Sequence, residues 1–144
     1  MPQSLRPQEA LDSSIFFAVK KLDRALSKIA EDIFQKVGLN PSYVSTLLIL
    51  NHENGKIQKD LAKMLGIAAP SMTRLIEKLV NKGLVQVVCE GRTKRVYLTD
   101  KGKGLIPDLY QAHIELHEEI TRLVKTGFSE TLITELNQIT NQLQ

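Results

Sequence analysis

The 144-residue sequence predicts a mainly α fold with a small β-hairpin wing, a winged helix-turn-helix flanked by long N- and C-terminal helices. Three observations carry this prediction. Apolar stripes of helical period run along both ends of the chain. Between them, two short helical patterns meet at a glycine-containing turn and lead straight into two β-branched runs. With 42% apolar residues, a single domain of this length can bury a sizeable core without disulfides or a structural metal.

Taken in order, residues 11–37 place Ile15, Val19, Leu22, Leu26, Ile29, Ile33 and Val37 at steps of four and three, one stripe on one long helix. Asp12 or Ser13 can cap its start, and Gly38 can end it. Asn40 then reads as an N-cap with Pro41 at the first helical position, and Asn54-Gly55 as the stop. The centre of this helix, Leu47 to Leu50, is apolar all round and is expected to be buried. "KIQKDLAKMLGIAAPSMTRLIEKLVNKGL" gives two short helices joined at Gly66-Ile67-Ala68-Ala69, with Pro70 opening the second and Gly83 closing it. "LVQVV" and "RVYLT" are strands, and residues 89–94 turn the chain between them.

A second long helix follows the N-cap Thr99 through Leu109, Leu116, Ile120 and Leu123. Pro107 in its early turns predicts a kink or a delayed start. Gly127 ends it. Ser129 caps a last helix bearing Leu132, Ile133, Leu136, Ile139 and Leu143, and Phe128 against Ile133 has the spacing of a hydrophobic staple.

The net charge of +3 is small, but its distribution is not even. Residues 55–104 hold eleven Lys and Arg against four acids, a net +7, which leaves −4 for the rest. A basic middle between acidic ends suits a middle that meets a polyanion. On a helical wheel of residues 70–82, Met72, Leu75, Ile76 and Leu79 form the core face, while Thr73, Arg74, Glu77 and Lys78 lie opposite with Ser71 at the margin. Arg74 and Lys78, four apart, project together, and Arg74 could pair with guanine in a major groove. Ser71 and Thr73 near the helix start suit phosphates or base edges. A solvated polar face is the plainer reading of the same wheel, and the basic segment and following hairpin favour DNA over it.

"DLAKMLGIAAPSMTRLIEKLVNKGLV", continued by "LTDKGKGL", resembles the MarR family of bacterial winged-helix transcription regulators over nearly the whole chain. The resemblance implies a homodimer with residues 11–39 and 105–144 as dimerisation helices and 40–104 as the winged helix-turn-helix DNA-binding region. It further implies a pseudo-palindromic operator on double-stranded DNA, repression as the usual outcome, and a small-molecule effector between head and dimer helices as an option. By position, Ser71, Thr73, Arg74 and Lys78 would face the major groove. Counted back from Leu98-Thr99, Glu90-Gly91-Arg92 falls on the family's Asp-x-Arg, whose arginine enters the minor groove and whose aspartate orients it. This wing is about three residues shorter than the usual form, which leaves Lys94 and Arg95 as alternative holders of the arginine's role. Val87-Val88 stand where basic residues are common, and Ala68-Ala69 offer no side-chain cap.

Other constellations are weaker. His113 and His117 share a helix face, the spacing of two zinc ligands, but no third or fourth ligand matches at Val44 and Ser45, so neither metal nor cofactor is expected. Cys89, the only cysteine, could sense oxidants if neighbouring cations lowered its pKa, but Glu90 opposes them; the plainer reading is a small strand residue. No phosphate loop, nucleophile elbow or H-E-x-x-H is present, so no enzyme is expected. The N-terminus lacks a signal-peptide layout and no apolar run approaches a membrane span, which predicts a soluble cytoplasmic protein with no membrane partner. The rival function is a protein-interaction module or antirepressor on the same scaffold, favoured by the short wing and disfavoured by eleven cations in its middle.

Overall fold

The computed structural model describes residues 6–144. In chain order the elements are α1 (Pro7–Asp12), α2 (Ile15–Phe34), α3 (Pro41–His52), β1 (Lys56–Ile57), α4 (Gln58–Leu65), α5 (Ala69–Asn81), β2 (Val85–Glu90), β3 (Thr93–Leu98), α6 (Asp100–Leu123) and α7 (Leu132–Leu143). The three strands form one antiparallel sheet in the order β1-β3-β2. No helix among the described residues is long and apolar enough to cross a membrane.

The first helix, expected to be continuous from residue 11, is broken. Ser13 Oγ donates to the Ala10 carbonyl at 3.1 Å, and Ser14 adopts the extended conformation of an N-cap before α2. The Ser13 hydroxyl is thus turned back to the end of α1, and the cap position falls on Ser14, without a side-chain cap bond, rather than on Asp12 or Ser13. After α2 a turn of 3₁₀ helix, Gln35–Val37, runs into the left-handed Gly38. Asn40 Oδ1 then accepts from the Tyr43 N–H at 3.3 Å, with Pro41 at the first helical position of α3, as the sequence implied.

The core lies where α3, α4, α5, β3 and α6 meet. Leu47, Leu50, Leu61, Leu79, Val96 and Leu109 are wholly shielded from solvent. Each side chain of this size contributes about 1.5–3 kcal/mol on burial. The buried Thr46 is satisfied by donating to the Ser42 carbonyl at 2.8 Å. Leu48 and Ile49, expected to be buried with their neighbours, are only partly covered because they line a cleft described below.

Gly66 joins the two helices of the head in the left-handed region at φ +66°, where its lack of a Cβ removes the steric cost. The hairpin turn is shorter than expected. Pairing runs from Val85 opposite Leu98 to Glu90 opposite Thr93, so Gly91-Arg92 alone turn the chain. Strand β1 was not expected. Asn54 Oδ1 accepts from the Leu98 N–H at 2.8 Å and the Gly55 N–H donates to Val96 O at 2.9 Å, which lays Lys56 and Ile57 beside β3. Gly55 is buried at φ +82°, and a Cβ there would lie 2.6 Å from the Tyr97 ring.

Helix α6 starts at Asp100 with Thr99 Oγ1 accepting from the Gly102 N–H at 3.1 Å, and passes through Pro107 without a delayed start. The carbonyl of Lys103, deprived of its donor by Pro107, belongs to an exposed residue that water can satisfy. The last helix begins later than expected. Its N-cap is Thr131, while Ser129 Oγ accepts weakly from the Thr131 N–H at 3.4 Å. That two-residue shift takes Phe128 and Ile133 out of staple register, and both are exposed.

Candidate nucleic-acid interface

Helix α5 is positioned by its apolar face. Met72, Leu75, Ile76 and Leu79 are all buried, which fixes the rotation of the helix and turns Ser71, Arg74, Glu77 and Lys78 to solvent. Its start has no side-chain cap, since the N-cap is Ala68, so backbone N–H groups of its first turn remain available to an acceptor. Arg74 Nη2 lies 3.5 Å from Ser71 Oγ, at the outer limit of a hydrogen bond. Thr73 differs from its neighbours. Its hydroxyl donates to the Ala69 carbonyl at 3.1 Å and accepts from Gln58 Nε2 at 3.1 Å, so it ties α5 to the start of α4. Gln58 was missed in the sequence; a contact spanning fifteen residues between two polar side chains leaves no periodic trace.

The wing divides its cations in the same manner. Arg92 and Lys94 are exposed at and beside the turn. Arg95 is engaged: Nε donates to Glu90 Oε2 at 3.1 Å and Nη1 to the Gly55 carbonyl at 3.1 Å. The expectation that Glu90 orients Arg92 is therefore not met in this structure, where its carboxylate is turned to Arg95 across the hairpin. Cys89 is exposed and stands opposite Lys94 in the strand register.

Two clefts flank α5 and α3. One of about 520 Å³ lies between α2 and α5, with Ser27 and Glu31 facing Ser71, Arg74 and Lys78. The other, about 540 Å³, is mostly apolar and is bounded by Phe34 of α2, Leu48 and Ile49 of α3, Ile67 of the turn, and His113 and Leu116 of α6. His113 thus borders a cleft, whereas His117 is simply exposed. Among the described residues, no three His, Cys, Asp or Glu side chains come together to hold a metal ion.

The apolar residues left outside the core are unevenly placed. Of seventeen large exposed apolar side chains among the described residues, only Met64, Val80 and Val88 lie in residues 40–104. The stripe on α2 is covered from Ala30 onward but open at its start, where Ile15 is 66% and Phe16 61% exposed. No residue of α7 is buried.

A helix-turn-helix with a free basic face, followed by a two-stranded wing on a three-stranded sheet, defines a winged helix-turn-helix protein. Residues 37–95 match the model described as the MarR family. The chain is 26% identical over 113 residues to the HTH-type transcriptional regulator MhqR of Bacillus subtilis (strain 168), covering 76% of this chain and 78% of that protein. In fold it is similar to S. aureus MepR solved as a DNA complex, with a TM-score of 0.75 at 20% identity over 91% of this chain and 98% of that one. It is also similar to the repressor CouR bound to p-coumaroyl-CoA, with a TM-score of 0.77 at 21% identity over 98% of this chain and 99% of that one. The chain is thus similar to the MarR family across residues 37–95 and shares the fold of these regulators over nearly its whole length.

Proposed function

We propose that this chain acts as a homodimeric, sequence-specific DNA-binding repressor that occupies a pseudo-palindromic operator. The observation that carries the reading is α5: its apolar face is spent on the core, its N-terminus has no side-chain cap, and Ser71, Arg74 and Lys78 are exposed on the outer face. Arg74 reads a base edge, Ser71 and Lys78 hold phosphates or neighbouring edges, and Arg92 and Lys94 carry the wing toward the backbone or minor groove. Thr73 contributes through its methyl and its tie to Gln58, since its hydroxyl is already used. MepR was solved on DNA, which supports the same use of the shared fold.

Residues 40–104 form the reading head, and residues 11–39 and 105–144 the dimerisation helices. The open stripe of α2 and the uncovered face of α7 supply the apolar surface that a second copy would cover. Two heads spaced about 34–36 Å apart would then meet successive major grooves on one side of the duplex. The cleft beside His113 is the place for an effector, an apolar small molecule whose polar group meets His113. Its occupation would bias the separation of the heads. CouR, solved with p-coumaroyl-CoA, supports a ligand-responsive reading.

A mobility shift on the DNA upstream of the protein's own gene, at two salt concentrations, tests the proposal. Binding should weaken in Arg74→Ala, and loss of a phosphate contact should flatten the salt slope by about one unit. If neither that DNA nor a random duplex binds in low salt, the reading fails and a protein-docking role takes its place.

A further inference from the structure

Arg95 reaches in two directions from the central strand of the sheet. It lies on β3, in register with Ile57 of β1 on one side and Val88 of β2 on the other. Its guanidinium joins the Glu90 carboxylate, one residue before the wing turn, to the Gly55 carbonyl, one residue before β1. One side chain therefore links the outer end of the wing to the junction below α3.

We propose that Arg95 is a positioning residue: with Glu90 and the Gly55 carbonyl it forms a strut that sets the angle of the wing, leaving Arg92 and Lys94 as the wing's DNA-contacting cations. This rests on the DNA-interface reading above. Three physical points support it. First, Glu90 cancels the charge of Arg95, so the pair offers a polyanion no net attraction, while among the described residues no acid forms an ion pair with Arg92 or Lys94. Second, the planar guanidinium fork holds two acceptors in fixed directions, which a lysine ammonium would not do. Third, the anchor is itself tied into the sheet. The Gly55 N–H donates to Val96 O at 2.9 Å, and the Tyr97 ring stands so close that a Cβ at Gly55 would lie 2.6 Å from it. As a surface ion pair the contact adds little stability, because Arg95 and Glu90 side chains are 37% and 57% exposed. Its value lies in geometry: a short wing that must place one arginine in a narrow groove tolerates little swing.

The charge-balanced double variant Glu90→Gln/Arg95→Gln removes the strut at constant net charge, and is compared with Arg92→Gln and Lys94→Gln in the full-length protein. Binding to the upstream duplex and to a random duplex of equal length is measured across a salt series. The double variant should keep the wild-type salt slope and lose preference for the upstream duplex by about tenfold, the scale of one lost base contact. Arg92→Gln and Lys94→Gln should each flatten the slope by about one unit. An unchanged preference in the double variant overturns the strut, and so does a slope reduced by a unit, since Arg95 would then be a phosphate ligand. Amide hydrogen exchange, measured without DNA, gives an independent readout. Faster exchange at Gly55 and Lys56 in the double variant is expected, and unchanged protection overturns the proposal. Should the wild type bind no duplex at all, the DNA reading fails, while exchange still decides the strut.

Discussion

The reading head and the terminal helices dispose of their apolar residues on opposite terms. Within residues 40–104, each amphipathic element finds its complement in the same chain: the stripe of α5 meets Leu47, Leu50 and Leu61, and the sheet closes over them with Val96. The terminal helices carry stripes just as regular, yet α7 buries none of its residues and α2 leaves Ile15, Phe16 and Leu22 open. An apolar stripe specifies that something must cover it, not which chain supplies the cover. The difference therefore separates a head whose stripes are covered within the chain, with Phe34 of α2 and Leu109 of α6 helping to close its core, from helix faces that stay open in a single copy.

The largest effect is expected from charging the open faces. Leu22→Asp combined with Ile139→Asp places carboxylates where the proposed partner helices meet, and burying them unpaired is strongly unfavourable. Light scattering should show a monomer. Affinity for the upstream duplex should fall by up to about ten-thousandfold, roughly 5 kcal/mol, because two tethered heads become two independent ones. A variant that remains dimeric would place the interface elsewhere.

Next comes the head. Leu47→Ala should cost about 3 kcal/mol through lost burial and the cavity left behind, read from the denaturation midpoint at fixed protein concentration. Val88→Ala, on an exposed wing strand of the same head, should stay within about 0.5 kcal/mol. If Leu47→Ala instead dissociated the dimer without lowering the stability of the head, the two regions would not be separable in the way described.

Much of this division could be read in the sequence, for reasons particular residues make plain. Asn40-Pro41, Gly66, Thr99 and the β-branched runs each encode a local boundary through backbone chemistry, and each boundary stands close to where the chain implied it. The face of α5 was legible because helical period alone sorts Met72 and Leu79 from Arg74 and Lys78. Non-local contacts were not legible. Strand β1 has two residues and owes its place to Asn54 and Gly55, and Gln58 meets Thr73 only after the turn folds. The roles of Arg92, Lys94 and Arg95 look alike as letters. Only the register of the hairpin, which brings Arg95 within reach of Glu90 and of Gly55 at once, distinguishes them.

Within the head, Arg74 gives a smaller and more specific effect than the core. Arg74→Ala removes an exposed side chain and should leave the denaturation midpoint nearly unchanged. Its cost should appear in DNA binding, about 2 kcal/mol against the preferred sequence, together with relaxed selectivity at one base position. A uniform loss across all sequences would make Arg74 a phosphate ligand and shift base reading to Ser71 or Lys78.

The smallest effects should come from one acid in each region. A hydrogen bond from Lys56, reinforced by its charge, holds the Glu53 carboxyl below its ordinary value at the α3–β1 junction, and Arg122 lowers that of Glu119 on α6 in the same manner. A carboxylate whose pKa is lower folded than unfolded stabilises the fold above its unfolded pKa, and the contribution disappears as pH falls through the folded one. Both groups are open to solvent, so the contributions are small and salt-sensitive. Glu53→Gln and Glu119→Gln should each be slightly less stable than the wild type near neutrality and converge with it in acid, below about pH 4. The two variants should differ in what they expose. For Glu53→Gln the shift should be independent of protein concentration, since the α3–β1 junction lies in the head, away from the open faces of α2 and α7. For Glu119→Gln, on a helix of the proposed dimer interface, it should grow as the protein is diluted. Equal concentration dependence in both would mean that head and terminal helices unfold as one unit.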